Sequence, residues 1–165
     1  LGLPLDKKLV LFAAIPRPEK RLDLAQSAVE ILRRSDDRVQ LVLATSVSHE
    51  QMPWYMNACD VLALPSDYEG SPVVVKEAMA VNLPIVATDT GDIALVIGGT
   101  EGNYLCQHNA DDLAAKLKLA LDRQQRTNGR RVVQSLNLDM TIQRIVSVYQ
   151  HVLASRKKRG THRDQ

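Results

Sequence analysis

Cysteine is scarce in this sequence, limited to Cys59 and Cys106. Both stand among apolar residues, and neither has the spacing of a metal ligand. A disulfide framework is not expected; the two thiols read as reduced core residues of a cytoplasmic protein. Charge of one sign is scarce as well. The 21 Lys and Arg against 19 Asp and Glu leave a net charge of +2, too little to make the whole surface attract nucleic acid, and no such partner is expected. No apolar run approaches the ~20 residues of a membrane span. A signal peptide is missing, yet the sequence begins at Leu1 without Met. A fragment is therefore expected, and the missing signal carries no information about its parent. Internal repeats and low-complexity segments are also lacking.

What is present is the composition of an ordinary globular domain. A chain of 165 residues suits a single domain over 1–165, and 45% apolar with 24% charged residues allows a real core. Residues 1–7, with Pro4, read as a linker. Short apolar runs then alternate with helical patterns. The runs 9–14, 39–44, 61–64, 83–87 and 103–106 predict strands, the first of them buried on both faces. Helices are expected over 19–34, 49–58, 72–80, 110–123 and 139–155; Leu22, Ala25, Val29 and Leu32 give the first its apolar face. This alternation predicts an α/β fold, a parallel sheet between two helical layers in a Rossmann-like arrangement. Arg156, Lys157, Lys158, Arg159 and Arg163 make 156–165 a basic tail. It is expected to be disordered and solvated, or else to meet an acidic membrane surface or partner.

In folds of this class ligands bind at the carboxyl ends of the strands, which singles out the turns 14–20 and 64–77. In the first, Pro18 suits the opening position of a helix. Acidic residues are favoured there because the helix dipole is positive. Glu19 conforms; Arg17, Lys20 and Arg21 do not. Three cations around a helix start suit an anion such as phosphate, or they extend into water; the residues alone leave both readings open.

The second turn reads PSDYEGSPVVVKEAMA. Ser71 is expected as the N-cap and Pro72 as the first helical residue. The N–H groups of Val73 and Val74 would then point out of the helix start, and Gly70 would let a ligand or another backbone approach. Glu69 precedes this anion site, and Glu77 lies just over one turn into the helix. A carboxylate accepts two hydrogen bonds from a vicinal diol, as in a ribose or a hexose. Equally, Glu77 could complement the dipole or pair with a neighbour, and Glu69 could be plain loop polarity. His49 is expected to cap a helix or face solvent, and Trp54 and Tyr55 to lie in the core or at a rim. His108 and His151 lack metal-like partners, and no metal site is expected.

At this point the motifs carry a resemblance. Glu69-Gly70-Ser71-Pro72, followed after four residues by Glu77-Ala78-Met79-Ala80, resembles the E-x7-E signature of family 4 glycosyltransferases, which have the GT-B fold. Asn57-Ala58-Cys59-Asp60 through Pro65-Ser66 resembles the segment before that signature. The stretch from Asn82 to Gly91 resembles the segment after it. Pro18-Glu19-Lys20 resembles the P-E-K element after the first strand. Gly102-Asn103-Tyr104-Leu105, with Asp111-Asp112-Leu113-Ala114, resembles elements near the end. Five elements in order, over residues 8–155, make the likeness specific.

The resemblance implies that this chain is one half of a GT-B fold, the half that holds the donor. In that family a sugar passes from a nucleotide diphosphate sugar to an acceptor with retention of configuration, often without a metal. Lys20, with Arg17 beside it, would contact the diphosphate. Glu69 would meet hydroxyls of the transferred sugar near the reacting carbon. The backbone of Gly70, Ser71, Pro72, Val73 and Val74 would hold sugar and phosphate, and Glu77 the ribose hydroxyls. Charge stabilisation on the departing diphosphate would be the main catalytic effect. The donor would be a UDP-, GDP- or ADP-sugar, with no further cofactor. The partner would be an N-terminal acceptor domain absent from this sequence, and the parent enzyme would be cytoplasmic or associated with the cytosolic face of a membrane.

Three departures qualify this. The family's Gly-Arg before the P-E-K element is replaced by Ala14 and Ile15, which leaves Arg17 as the one candidate to share the diphosphate charge. A strand and a helix are missing where Ala44 runs into Thr45-Ser46-Val47-Ser48-His49-Glu50. The acceptor domain is lacking. An alternative is therefore a non-catalytic domain that binds nucleotide sugars or mediates interactions while keeping the half-fold. A third reading, a GT-B epimerase of sugar nucleotides, fits the P-E-K and E-x7-E combination poorly.

Overall fold

The five apolar runs form five parallel strands. The computed structural model describes residues 1–136 and 138–160, with the backbone alone at 135 and 156–160. The strands are β1 (Lys8–Phe12), β2 (Val39–Leu43), β3 (Val61–Leu64), β4 (Ile85–Thr88) and β5 (Tyr104–Cys106). They lie in the order β2-β1-β3-β4-β5. Every pairing is parallel, as strand–helix alternation requires.

Side chains alternate across the sheet with the two-residue strand period. Leu9, Leu11, Leu62, Leu64, Ile85 and Ala87 enter one core cluster; Val10, Val61, Ala63 and Val86 enter the other. The first cluster is closed by α2 (Met52–Ala58), α3 (Val73–Ala80), α4 (Ile93–Ile97) and α6 (Gly129–Val133). The second is closed by α1 (Leu22–Arg33) and α5 (Ala110–Arg123). The result is a three-layer α/β/α domain. Cys59 and Cys106 are buried and unpaired; burial, the leading cause, pushes each thiol up to about 12.

The chain divides into two compact units, Leu1–Val133 and Gln134–Gln165. Within the second, a 3-10 turn (Gln134–Leu136) precedes α7 (Leu138–Gly160). The backbone of 156–160 is assigned to α7. Arg163, and the side chains of Arg156, Lys157, Lys158 and Arg159, lie outside the described residues. No helix among the described residues is long and apolar enough to cross a membrane.

Several boundaries differ from expectation. The segment 19–34 is two elements: a 3-10 turn over Pro18–Lys20, then α1. Arg21 separates them in the left-handed region, φ 51°. The helix expected from His49 begins at Met52, and α4 and α6, too short to show a helical period, were not expected. Beyond β2 the described sheet has no further strand, so β2 is the sheet edge where Ala44 meets Thr45.

Candidate functional site

β1 is followed by β2 on one side, while β3 lies on its other side. The carboxyl ends of β1 and β3 therefore flank the point where the strand order reverses, the place where open α/β sheets bind ligands. Both turns singled out in the sequence converge there. Asp67 N–H donates to the Glu19 carbonyl at 2.8 Å. Lys20 Nζ donates to Glu69 Oε1, also at 2.8 Å, and the Glu69 side chain is only 9% exposed.

The three cations of the first turn part ways. Lys20 faces the site. Arg21 bridges Asp23 at 2.9 Å and Asp67 at 3.1 Å, so it links the two turns and is not a spare cation. Arg17 is 63% exposed and lies 4.0 Å from Glu19. An α-helix start at Pro18 was expected; the 3-10 turn and the left-handed Arg21 displace that start to Leu22. The anion site drawn on an α-helix dipole at Lys20 is thereby corrected to a lysine on a tight turn. Ile15, where the family pattern has a basic residue nearby, is an exposed apolar side chain.

The second turn departs in one detail with consequences. Ser71 does not cap α3 and Pro72 is not its first helical residue. Pro72 is the cap residue, with φ −66° and ψ 122°, and no side chain caps the helix. The physical reason is that the Ser71 hydroxyl is engaged elsewhere. Its Oγ donates to Asp92 Oδ2 at 2.5 Å and accepts from Lys76 Nζ. Val73 at the helix start is exposed, and Val74 is half-buried. Gly70 has open space where a Cβ would stand. Glu77, 29% exposed, lies 3.4 Å from His49 Nδ1; the His49 side chain is 84% exposed and so faces solvent, as expected, while its ring borders Glu77. Met52, Pro53, Met56, Ala80 and Val81 complete a small, mostly apolar recess of about 150 Å³ around that pair.

Residues that sequence reasoning missed complete the surroundings. Asp67 also receives His108 Nδ1 at 3.1 Å. The turn after β4 packs onto the Glu69–Gly70 loop: Asp92 N–H donates to the Gly70 carbonyl at 3.0 Å. The buried oxygens Ser66 Oγ, Thr90 Oγ1 and Asp92 Oδ1 have no hydrogen-bond partner among the described residues. The signal for Asp92 was weak, since an Asp after Gly91 reads as an ordinary turn. Trp54 is 60% exposed, at a rim and not in the core. No group of three His, Cys, Asp or Glu side chains among the described residues is arranged to hold a metal.

Comparisons with known proteins bear on the family and the fold. The family model described as "Glycosyl transferases group 1" matches residues 43–132, a stretch that includes Glu69 and Glu77 and excludes Lys20. A Bacillus subtilis (strain 168) protein named for teichuronic acid biosynthesis and as a glycosyltransferase is 31% identical over 128 residues, covering 69% of this chain and 33% of its own length. Sucrose-phosphate synthase from Thermosynechococcus elongatus superimposes with a TM-score of 0.73 at 23% identity, over 93% of this chain and 47% of that one. Anabaena HepE, solved in complex with UDP, superimposes with a TM-score of 0.67 at 18% identity, over 88% of this chain and 49% of that one. The chain thus spans about a third of the length of that curated relative and about half of these solved chains.

Proposed function

The chain belongs to the group 1 glycosyl transferase family, and on that premise we propose that it is the donor-binding half of a retaining enzyme. The parent moves a sugar from a nucleotide diphosphate sugar to an acceptor held by a further domain. The observation that carries this reading is the Lys20–Glu69 pair, 2.8 Å apart at the strand-order reversal, next to a helix start that no side chain caps. A diphosphate there would meet the Lys20 ammonium and the free N–H groups of Val73 and Val74, with the dipole of α3 behind them. Arg17 would add charge from the rim. Those groups would stabilise the leaving diphosphate as negative charge develops on it. Glu69, released from Lys20, would accept hydroxyls of the transferred sugar, and Glu77 those of the ribose. Two buried, unpaired thiols suit a cytoplasmic setting. Alone, the chain would bind donor but transfer nothing, because the acceptor must be held in line with it.

The test is calorimetric titration of the chain with UDP, GDP, ADP and their sugars. One series should bind, and Lys20→Ala should weaken it by about tenfold or more, since a charged contact to phosphate is lost. Glu77→Gln should weaken nucleosides and nucleotides alike. Binding that ignores both substitutions would refute the assigned roles.

A second reading has one specific observation in its favour. Ala14 and the exposed Ile15 stand where the family pattern has Gly-Arg. A half-fold that keeps the sugar-nucleotide site without turnover would fit. Donor binding without transfer by the full-length parent, restored towards activity by Ala14→Gly/Ile15→Arg, would favour it.

A further inference from the structure

Two residues of the kind that cap helices stand at the starts of α3 and α4, and neither caps. Ser71 directly precedes the cap position of α3, and Asp92 is the cap residue of α4, yet no side-chain cap bond is made to either helix. They are bound to each other instead, Ser71 Oγ to Asp92 Oδ2 at 2.5 Å. Lys76 Nζ donates to the same Ser71 oxygen and lies 3.8 Å from Asp92 Oδ2. The hydroxyl hydrogen is thereby committed to a carboxylate and a lone pair to an ammonium. Asp92 is itself pinned, because its N–H donates to the Gly70 carbonyl at 3.0 Å and Gly91 passes against that same carbonyl.

We propose that Asp92 and Lys76 are positioning residues that hold the Ser71 hydroxyl away from α3 and so keep the N–H groups of Val73 and Val74 free for donor phosphate. The proposal rests on the donor-binding reading above. With Asp92 removed, Pro72 can join the helix as its first residue, and Ser71 can accept from Val73 or Val74, as a serine N-cap does. The ligand must then displace that cap. Charge alone predicts the opposite sign: a carboxylate beside a phosphate site opposes the anion, so its loss should tighten binding.

The experiment uses the 165-residue chain as wild type, Asp92→Ala, Asp92→Asn and Ser71→Ala/Asp92→Ala. Each is titrated with UDP, GDP and ADP, and amide exchange is followed by NMR without ligand. Asp92→Ala should weaken the preferred nucleotide by about tenfold, within the worth of a serine cap, and slow exchange at Val73 or Val74. Ser71→Ala/Asp92→Ala should regain affinity to within about threefold and return exchange to the wild-type rate. Asp92→Asn, which can still accept the hydroxyl, should stay near wild type. Should Asp92→Ala not fold, Asp92→Ser replaces it, its side chain being too short to reach Ser71. Tighter or unchanged binding in Asp92→Ala, or a double variant as weak as the single one, overturns the proposal. If the wild type binds none of the three nucleotides, the donor-binding reading fails, and the exchange rates still decide whether Asp92 withholds the cap.

Discussion

Gly91 has a φ of 59°, and a Cβ built on it would fall 2.0 Å from the Gly70 carbonyl oxygen and 2.6 Å from that of Glu69. Only glycine allows the turn after β4 to press so closely on the loop that carries Glu69. Gly91→Ala should therefore displace that loop. The left-handed backbone alone costs about 1–3 kcal/mol, and the overlap adds to it. We expect Tm to fall by roughly 10 °C in a calorimetric scan, with nucleotide binding lost at temperatures where the variant is still folded. Gly91 was legible in the sequence as part of a motif. Its contact was not, because it joins residues about twenty positions apart. The same limit applied to Lys20 and Glu69, whose types were suggestive but whose pairing needed the sheet.

At the scale of elements, α2 shows how an irregular junction is held. Arg126 donates to the carbonyls of Met56 at 3.1 Å, Asn57 at 2.5 Å and Cys59 at 3.0 Å. A helix leaves its last carbonyls without partners, and here a guanidinium from beyond α5 satisfies them. Arg126→Ala should cost about 2 kcal/mol, the order of a few charge-assisted hydrogen bonds discounted for partial exposure, read as a lower urea midpoint. Arg126→Lys should recover less than half of that, because an ammonium cannot reproduce the planar fork. The strands and long helices were legible because the two-residue and 3.6-residue periods repeat several times within them. The runs 61–64 and 110–123 match β3 and α5 to the residue. The starts of α1 and α3 were misread because local cap preferences did not decide them: a 3-10 turn and a left-handed Arg21 precede α1, and Ser71 is bonded to Asp92 of another turn instead of to α3.

At the scale of the molecule, the core residues all fall within Leu1–Val133. They run from Leu9 to Leu121, and no buried hydrophobic residue is found in the described part of the second unit. A chain ending after Val133 should therefore keep its cooperative melt, with Tm within about 3 °C of the full chain, since a shift of that size corresponds to roughly 1 kcal/mol. Loss of the transition would show that the second unit contributes to the core. By itself the sequence determined the parallel α/β architecture, the two turns that matter and the residue types at the site, because periodicity and motif order are local properties of the chain. Only the tertiary structure decided which cation faces Glu69, that Arg21 is engaged with Asp67, and that Ser71 leaves α3 uncapped. Those outcomes depend on side chains that meet across strand ends, and no local pattern records which of several competing partners a charge or a hydroxyl will take.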